Sequence, residues 1–174
     1  VLIFIIGCFL FSCTGYAQPA QNGDGPRDKT LKLLFDRSIS QLVDHSTYRI
    51  TSRTRTALLP VLPSRDELDQ NAEHFNGYLS RSLSENDLLK MIAPRDINKI
   101  IKKKNLTHTQ LWDDTNAVKV GRTLRADILI TGKLFKNGDS FELFLKMLRV
   151  KTGEVLSITK VNIDQDLGLQ ERLQ

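Results

Sequence analysis

The last third of the chain leaves little choice of architecture. Three apolar-rich runs, residues 127–135 (DILITGKLF), 140–150 (SFELFLKMLRV) and 155–163, are separated only by short polar breaks. The first break, Lys136-Asn137-Gly138-Asp139, carries the Asn-Gly signal of a tight hairpin. The second is Lys151-Thr152-Gly153-Glu154. In the third run Val155, Ser157, Thr159, Val161 and Ile163 share one face at the two-residue period of a strand. Such a sequence folds back on itself as a three-stranded antiparallel meander.

Upstream the period changes to that of helices. Leu31, Leu34, Phe35, Ile39, Leu42 and Val43 fall on one helical face, with Asp28 or Thr30 as the candidate cap. Residues 53–61 (RTRTALLPV) read as a strand entering the core, its pairing ended by Pro60 and Pro63. Residues 64–71 are loop-like. Residues 71–85 form a helix with Ala72, Phe75, Leu79 and Leu83 inward, and residues 88–92 a short strand. Pro94 suits the first turn of a helix striped by Ile97, Ile100 and Ile101. Asp113 or Asp114 caps the next, with Ala117, Val120, Gly121 and Leu124 inward. The order α-β-α-β-α-α-β-β-β predicts an α/β (α+β) fold: a mixed sheet covered by helices on one or both faces, ending in the meander.

The N-terminus has a different character. Residues 1–11 (VLIFIIGCFLF) are apolar, and no charge appears before Asp24. The run is shorter than the roughly 20 residues of a spanning helix and matches the apolar core of a signal peptide. The basic start of such a leader is expected upstream of Val1. Two processing sites stand open. Leu10-Phe11-Ser12-Cys13 resembles the lipobox of bacterial lipoproteins, with Cys13 as the lipid anchor. Gly15-Tyr16-Ala17 resembles an ordinary small-x-small cleavage site. The organisation expected is a signal peptide with lipobox over residues 1–13, a flexible linker over 14–28, the domain over 29–164 and a polar tail over 165–174. A lipid on Cys13 would hold the domain at the outer membrane, facing the periplasm.

Composition narrows the chemistry. The net charge is +5, with acidic residues spread among the basic ones, and an exported chain rarely meets nucleic acid, so no nucleic-acid partner is expected. Cys8 and Cys13 are the only cysteines, which leaves no disulfide framework or cysteine metal site in the mature domain. His45, His74 and His108 lack metal-type spacing and read as surface or rim residues. There is no G-x-S-x-G elbow and no phosphate-cradling loop. Gly121, Gly132 and Gly153 are isolated and suit turns or close packing. Asp66, Glu67 and Asp69 read as a solvated loop. No catalytic residue, metal or cofactor is therefore expected, and the chain does not read as an enzyme. Lys102-Lys103-Lys104 is the sharpest basic run: a helix end opposing the dipole, or a surface for a partner or anionic lipid. Trp112 is the only tryptophan, a core anchor or an exposed contact. These four residues are the candidate partner contacts.

Several segments together resemble a known family. They are Ala57-Leu58-Leu59-Pro60-Val61, residues 75–83 (FNGYLSRSL), residues 92–97 (IAPRDI), residues 120–132 (VGRTLRADILITG) and residues 150–156 (VKTGEVL). The pattern is similar to the FlgO-type domain of flagellar outer-membrane lipoproteins, a domain related to the curli-secretion lipoprotein CsgG and to lipoprotein activators of penicillin-binding proteins. The resemblance covers roughly residues 31 to 163. Arg125 departs from it, standing where a glycine is common, and the usual Phe after the first-strand proline is missing. The resemblance carries no catalytic residues. It implies a lipid-anchored binding or assembly module with envelope or flagellar proteins as partners, a homo-oligomer being possible. Its alternatives are a curli-type secretion pore and an activator of a peptidoglycan synthase. A pore is disfavoured because the only long alternating strands carry Lys146, Arg149 and Lys160 and are needed to close the sheet.

Overall fold

The structure is a computed structural model that describes residues 25–168. The lipobox with Cys13 and the tail from Leu169 onward lie outside the described residues. Helix α1 spans Pro26–Asp44, β1 Arg55–Leu58, β2 Leu62–Pro63, α2 Asp69–Ser84 and β3 Lys90–Met91. They are followed by α3 (Pro94–Lys103), α4 (His108–Trp112) and α5 (Asp114–Leu124). Three strands close the domain: β4 (Ile128–Asn137), β5 (Ser140–Arg149) and β6 (Val155–Asp164). The mixed sheet, its helical cover and the terminal meander are those the sequence predicts.

The sheet has six strands in the order β3-β1-β4-β5-β6, with β2 also beside β4. β1 is parallel to β3 and β4, and β2 is parallel to β4, whereas β5 runs antiparallel to both of its neighbours, β4 and β6. Pro63 does not end the pairing as expected. It lies in β2 opposite Leu134, and Ser64 N–H still donates to the Leu134 carbonyl at 2.8 Å. β2 pairs on one side only, the position in which a sheet accepts proline.

Helix α1 begins inside the stretch expected to be linker. Gly25 is its N-cap and Pro26 opens its first turn, so neither Asp28 nor Thr30 serves as the cap. The Asp28 carboxylate instead accepts from Gly25 N–H at 3.3 Å and from the Tyr78 hydroxyl of α2. The Tyr78 hydrogen bond, foremost, holds the Asp28 carboxyl below its ordinary range. Between the same two helices, the Lys32 ammonium bridges Asp36 at 2.9 Å and Glu85 at 2.7 Å.

The sheet divides the core in two. On one face α1 and α2 bury Phe35, Ile39, Phe75 and Leu79 against Ile130, Phe141, Leu143 and Leu145. On the other, α3, α4 and α5 bury Ile97, Leu111, Ala117 and Val120 against Ala57, Leu129 and Leu148. Gly121 is what allows α5 so close. A Cβ there would meet Val150 Cγ2 at 2.8 Å and Leu129 Cδ1 at 2.9 Å.

Two details of the meander differ from the sequence reading. Asn137 pairs with Ser140, so the loop is Gly138-Asp139 and Asn137 is the last residue of β4. Gly138 has φ +57°, which suits a two-residue hairpin that starts with glycine. The second difference is the face of Val155, which points to solvent while Leu156 is buried. Met147 pairs with Ser157 and Leu148 with Val155, so a bulge leaves Leu156 unopposed and turns both Leu156 and Ser157 inward. The Ser157 hydroxyl then donates to the Leu42 carbonyl of α1 at 2.6 Å.

The departure at Arg125 has a physical meaning. α5 ends there in the left-handed region, φ 54° and ψ 40°, where glycine costs nothing and other L-residues cost roughly 1–2 kcal/mol. The Arg125 side chain is exposed, and the group that Arg55 Nε contacts at 2.9 Å is its carbonyl, which any residue supplies. Arg125→Gly is expected to raise stability by about 1 kcal/mol, read as a higher urea midpoint at unchanged slope. An unchanged or lower midpoint would mean that the arginine side chain offsets the strain.

Candidate functional site

The second helical layer covers only part of its sheet face. β4 shows where it stops: residues 128–132 are buried without a break, and from Lys133 onward the strand alternates. Past that line the side chains of Lys133, Phe135, Phe144, Lys146 and Ile158 lie on a face that no helix covers among the described residues. Ile158 is 59% exposed. Trp112, Phe135, Phe144, Lys146 and Ile158 line a shallow hollow of about 330 Å³.

Local sequence fixes the rim. Thr107 opens α4 with a reciprocal cap: its Oγ1 accepts from Gln110 N–H at 3.4 Å, and its N–H donates to Gln110 Oε1 at 3.0 Å. Leu111 then enters the core, and Trp112, next in sequence, is left half-buried at its edge. Asp113 caps α5 by accepting from Asn116 N–H at 3.0 Å. Asp114 pairs with Lys146 of β5, which ties the helical layer to the open face.

The open face is aromatic and cationic together. The Lys133 ammonium lies 4.7 Å from the centre of the Trp112 ring and 5.3 Å from that of Phe135. Lys146 stands 5.1 Å from the Trp112 ring and Lys160 5.9 Å from Phe144. Phe135 and Phe144 meet edge to face with centroids 5.6 Å apart. Cations over ring faces gain attraction while leaving both groups partly open to a partner. Lys160 also pairs with Glu142 at 3.2 Å. Hydrogen bonds from Asn137 and then Lys160 hold the Glu142 carboxyl below its ordinary range. Lys133 has no carboxylate partner among the described residues.

Of the sequence candidates, Trp112 sits on this rim. Lys102, Lys103 and Lys104 are exposed at the C-terminal end of α3, and the lysines within reach of the Trp112 ring are Lys133 and Lys146. Phe135, Phe144 and Ile158 escape a search for motifs. Alternation carries a signal for one of them: Phe144 falls between Glu142 and Lys146 on the polar face of β5. His74 is half-buried beside Phe75 and Tyr78, and burial, foremost, pushes its imidazole below the ordinary histidine range. No group of three histidine, cysteine or acidic side chains converges to hold a metal among the described residues. No helix of the described residues is long and apolar enough to cross a membrane.

No family model matches the chain. No curated protein matches it in sequence. Solved structures do. The LpoB C-terminal domain from Salmonella enterica superposes with TM-score 0.65 at 15% identity, over 78% of this chain and 98% of that one. The NMR structure of Escherichia coli LpoB gives 0.66 at 14% identity, over 94% of this chain and 82% of that one. The lipoprotein GNA1162 from Neisseria meningitidis gives 0.55 at 11% identity, over 64% and 80%. The chain shares their fold, and the FlgO-type resemblance continues to rest on its motifs.

Proposed function

We propose that this protein is a non-catalytic binding module of the bacterial envelope, exported, held at the outer membrane through a lipid on Cys13, and facing the periplasm. Its working surface is the aromatic and lysine-rich sheet face, which docks a protein partner. The single observation that carries the reading is that this sheet face stays open next to a complete core. Large apolar side chains gathered on an exposed surface mark interaction sites, and tryptophan is enriched at binding hot spots. The anchor supports the same reading, because tethering raises the effective concentration of the domain near its partners.

Within the envelope, activation of a peptidoglycan synthase is favoured over flagellar assembly. The resemblance groups the sequence pattern with lipoprotein activators of penicillin-binding proteins, and the fold is shared with the LpoB domain. A pore of the curli type is less well supported, since β5 and β6 are both engaged in the domain's own sheet.

The test is in-cell photocrosslinking from Trp112, compared between wild type and Phe144→Asp. Phe144 is only half-buried, so the fold should survive. Capture of one envelope protein is expected, and the variant should bind it about thirtyfold or more weakly, the effect of losing a hot spot. If the captured protein is a peptidoglycan synthase, deletion of this gene should weaken the cell wall and leave motility intact. Capture of flagellar proteins would exchange the two roles. Unchanged binding by a folded Phe144→Asp protein would overturn the surface assignment.

A further inference from the structure

The open face ends at an open edge. β6 is the last strand of the sheet. The tight hairpin pairs Asn137 with Ser140, so the backbone groups of Phe141, Leu143 and Leu145 point to β6, where they meet those of Ile163, Val161 and Thr159. The N–H and C=O groups of Ile158, Lys160 and Asn162 therefore point away from the sheet. Leu156, on the same outer edge, already accepts from Thr47 N–H at 3.3 Å. Beyond Leu156, no backbone or side-chain group among the described residues bonds to that edge. The side chains of Ile158, Lys160 and Asn162 are exposed and stand on the open face, beside Phe144.

An unpaired strand edge is a template for another strand. The charge around it decides whose. Around the face stand three lysines, Lys133, Lys146 and Lys160, and three carboxylates, Asp114, Glu142 and Asp164. Lys146 and Lys160 are paired with Asp114 and Glu142, Asp164 lies at the far end of β6, and Lys133 has no carboxylate partner among the described residues. A second copy pairing antiparallel over residues 158–162 would place Lys160 opposite Lys160, a like-charge pair that disfavours it. A strand with a carboxylate opposite Lys160 and an apolar side chain opposite Ile158 satisfies both.

We propose that the protein binds its partner by strand addition: an extended acidic segment joins β6 antiparallel along Ile158–Asn162, presenting apolar and carboxylate side chains two residues apart to the open face. This rests on the docking face proposed above and specifies how it is used.

A short synthetic peptide of repeating Thr-Val-Thr-Glu, added to the full chain, tests it. Amide hydrogen exchange of Ile158, Lys160 and Asn162 should slow on binding, and Trp112 fluorescence should shift. The same peptide with lysine for glutamate should bind at least tenfold more weakly. Asn162→Pro removes an outward N–H that β5 does not use, a change an edge strand tolerates. It should weaken binding by about tenfold while Asn162→Ala does not. Binding that shifts Trp112 without protecting the β6 amides would overturn strand addition and leave the docking face standing. No binding, equal binding of the lysine peptide, or protection of β6 by self-association alone would also overturn it.

Discussion

Phe75→Ala is expected to cost about 3–5 kcal/mol of stability, seen as a large fall in the urea midpoint. Phe75 is fully buried in the middle of α2 and touches three other rings. Its ring lies 6.2 Å from Phe35 of α1, 5.5 Å edge to face from Phe141 of β5, and 5.6 Å from His74. It is thus the place where both helices and the sheet meet. The loss takes away the buried area and leaves a cavity, because α1 is also fixed through Asp28 and Lys32 and cannot simply close in. Against a typical total of about 5–15 kcal/mol, one truncation is expected to leave the domain barely folded. A loss below about 1 kcal/mol would show that the interior collapses around the gap and that this junction is looser than drawn.

Gly121→Val should do the opposite kind of damage on the other face. The added Cβ alone meets Val150 and Leu129 at 2.8 and 2.9 Å, and both neighbours are buried, Leu129 within β4 and Val150 just past the end of β5. Overpacking of this kind costs about 1–3 kcal/mol, and the branched side chain brings a further small helix penalty that partly offsets what glycine gives up in entropy. The melting temperature should fall by several degrees. Gly121→Ala is the milder companion, and its loss should be smaller in the same direction. A Val variant as stable as wild type would mean that α5 can lift from the sheet.

What could be read from the sequence follows from where the physics is local. The helices show because Phe35, Ile39 and Leu42, or Phe75, Leu79 and Leu83, repeat at helical spacing. The hairpins show because Gly138 and Gly153 supply positive φ at the turns. β2 is missed because its pairing with β4 depends on residues some seventy positions away, and Pro60 and Pro63 argue locally against any strand. α4 is missed because five residues carry too little period to register. The phase of Val155 fails for a similar reason: the bulge beside Leu148 belongs to the pairing, and an alternation count within β6 has no knowledge of it. The site was half legible. Trp112 draws notice as the single tryptophan, whereas Phe135, Phe144 and Ile158 become a surface only once it is known how far the second helical layer reaches.

The two edges of β4 differ in how far along the chain their partners lie. On one edge β5 follows after a two-residue loop, and β6 after a second short turn. On the other, β1 must be brought back across a separation of 72 residues, as in the bond from Arg55 N–H to Asp127. Loop-closure entropy makes the first junction cheap and the second dear, and non-local pairings of that kind are the slow step of folding. Most of the open aromatic face is carried on the cheap side, by Phe135, Phe144 and Ile158 of the three local strands. Trp112 reaches it only when α4 and α5 close over the sheet, so the rim of the open face depends on contacts longer in range than the hairpins that carry its floor, though shorter than the return of β1.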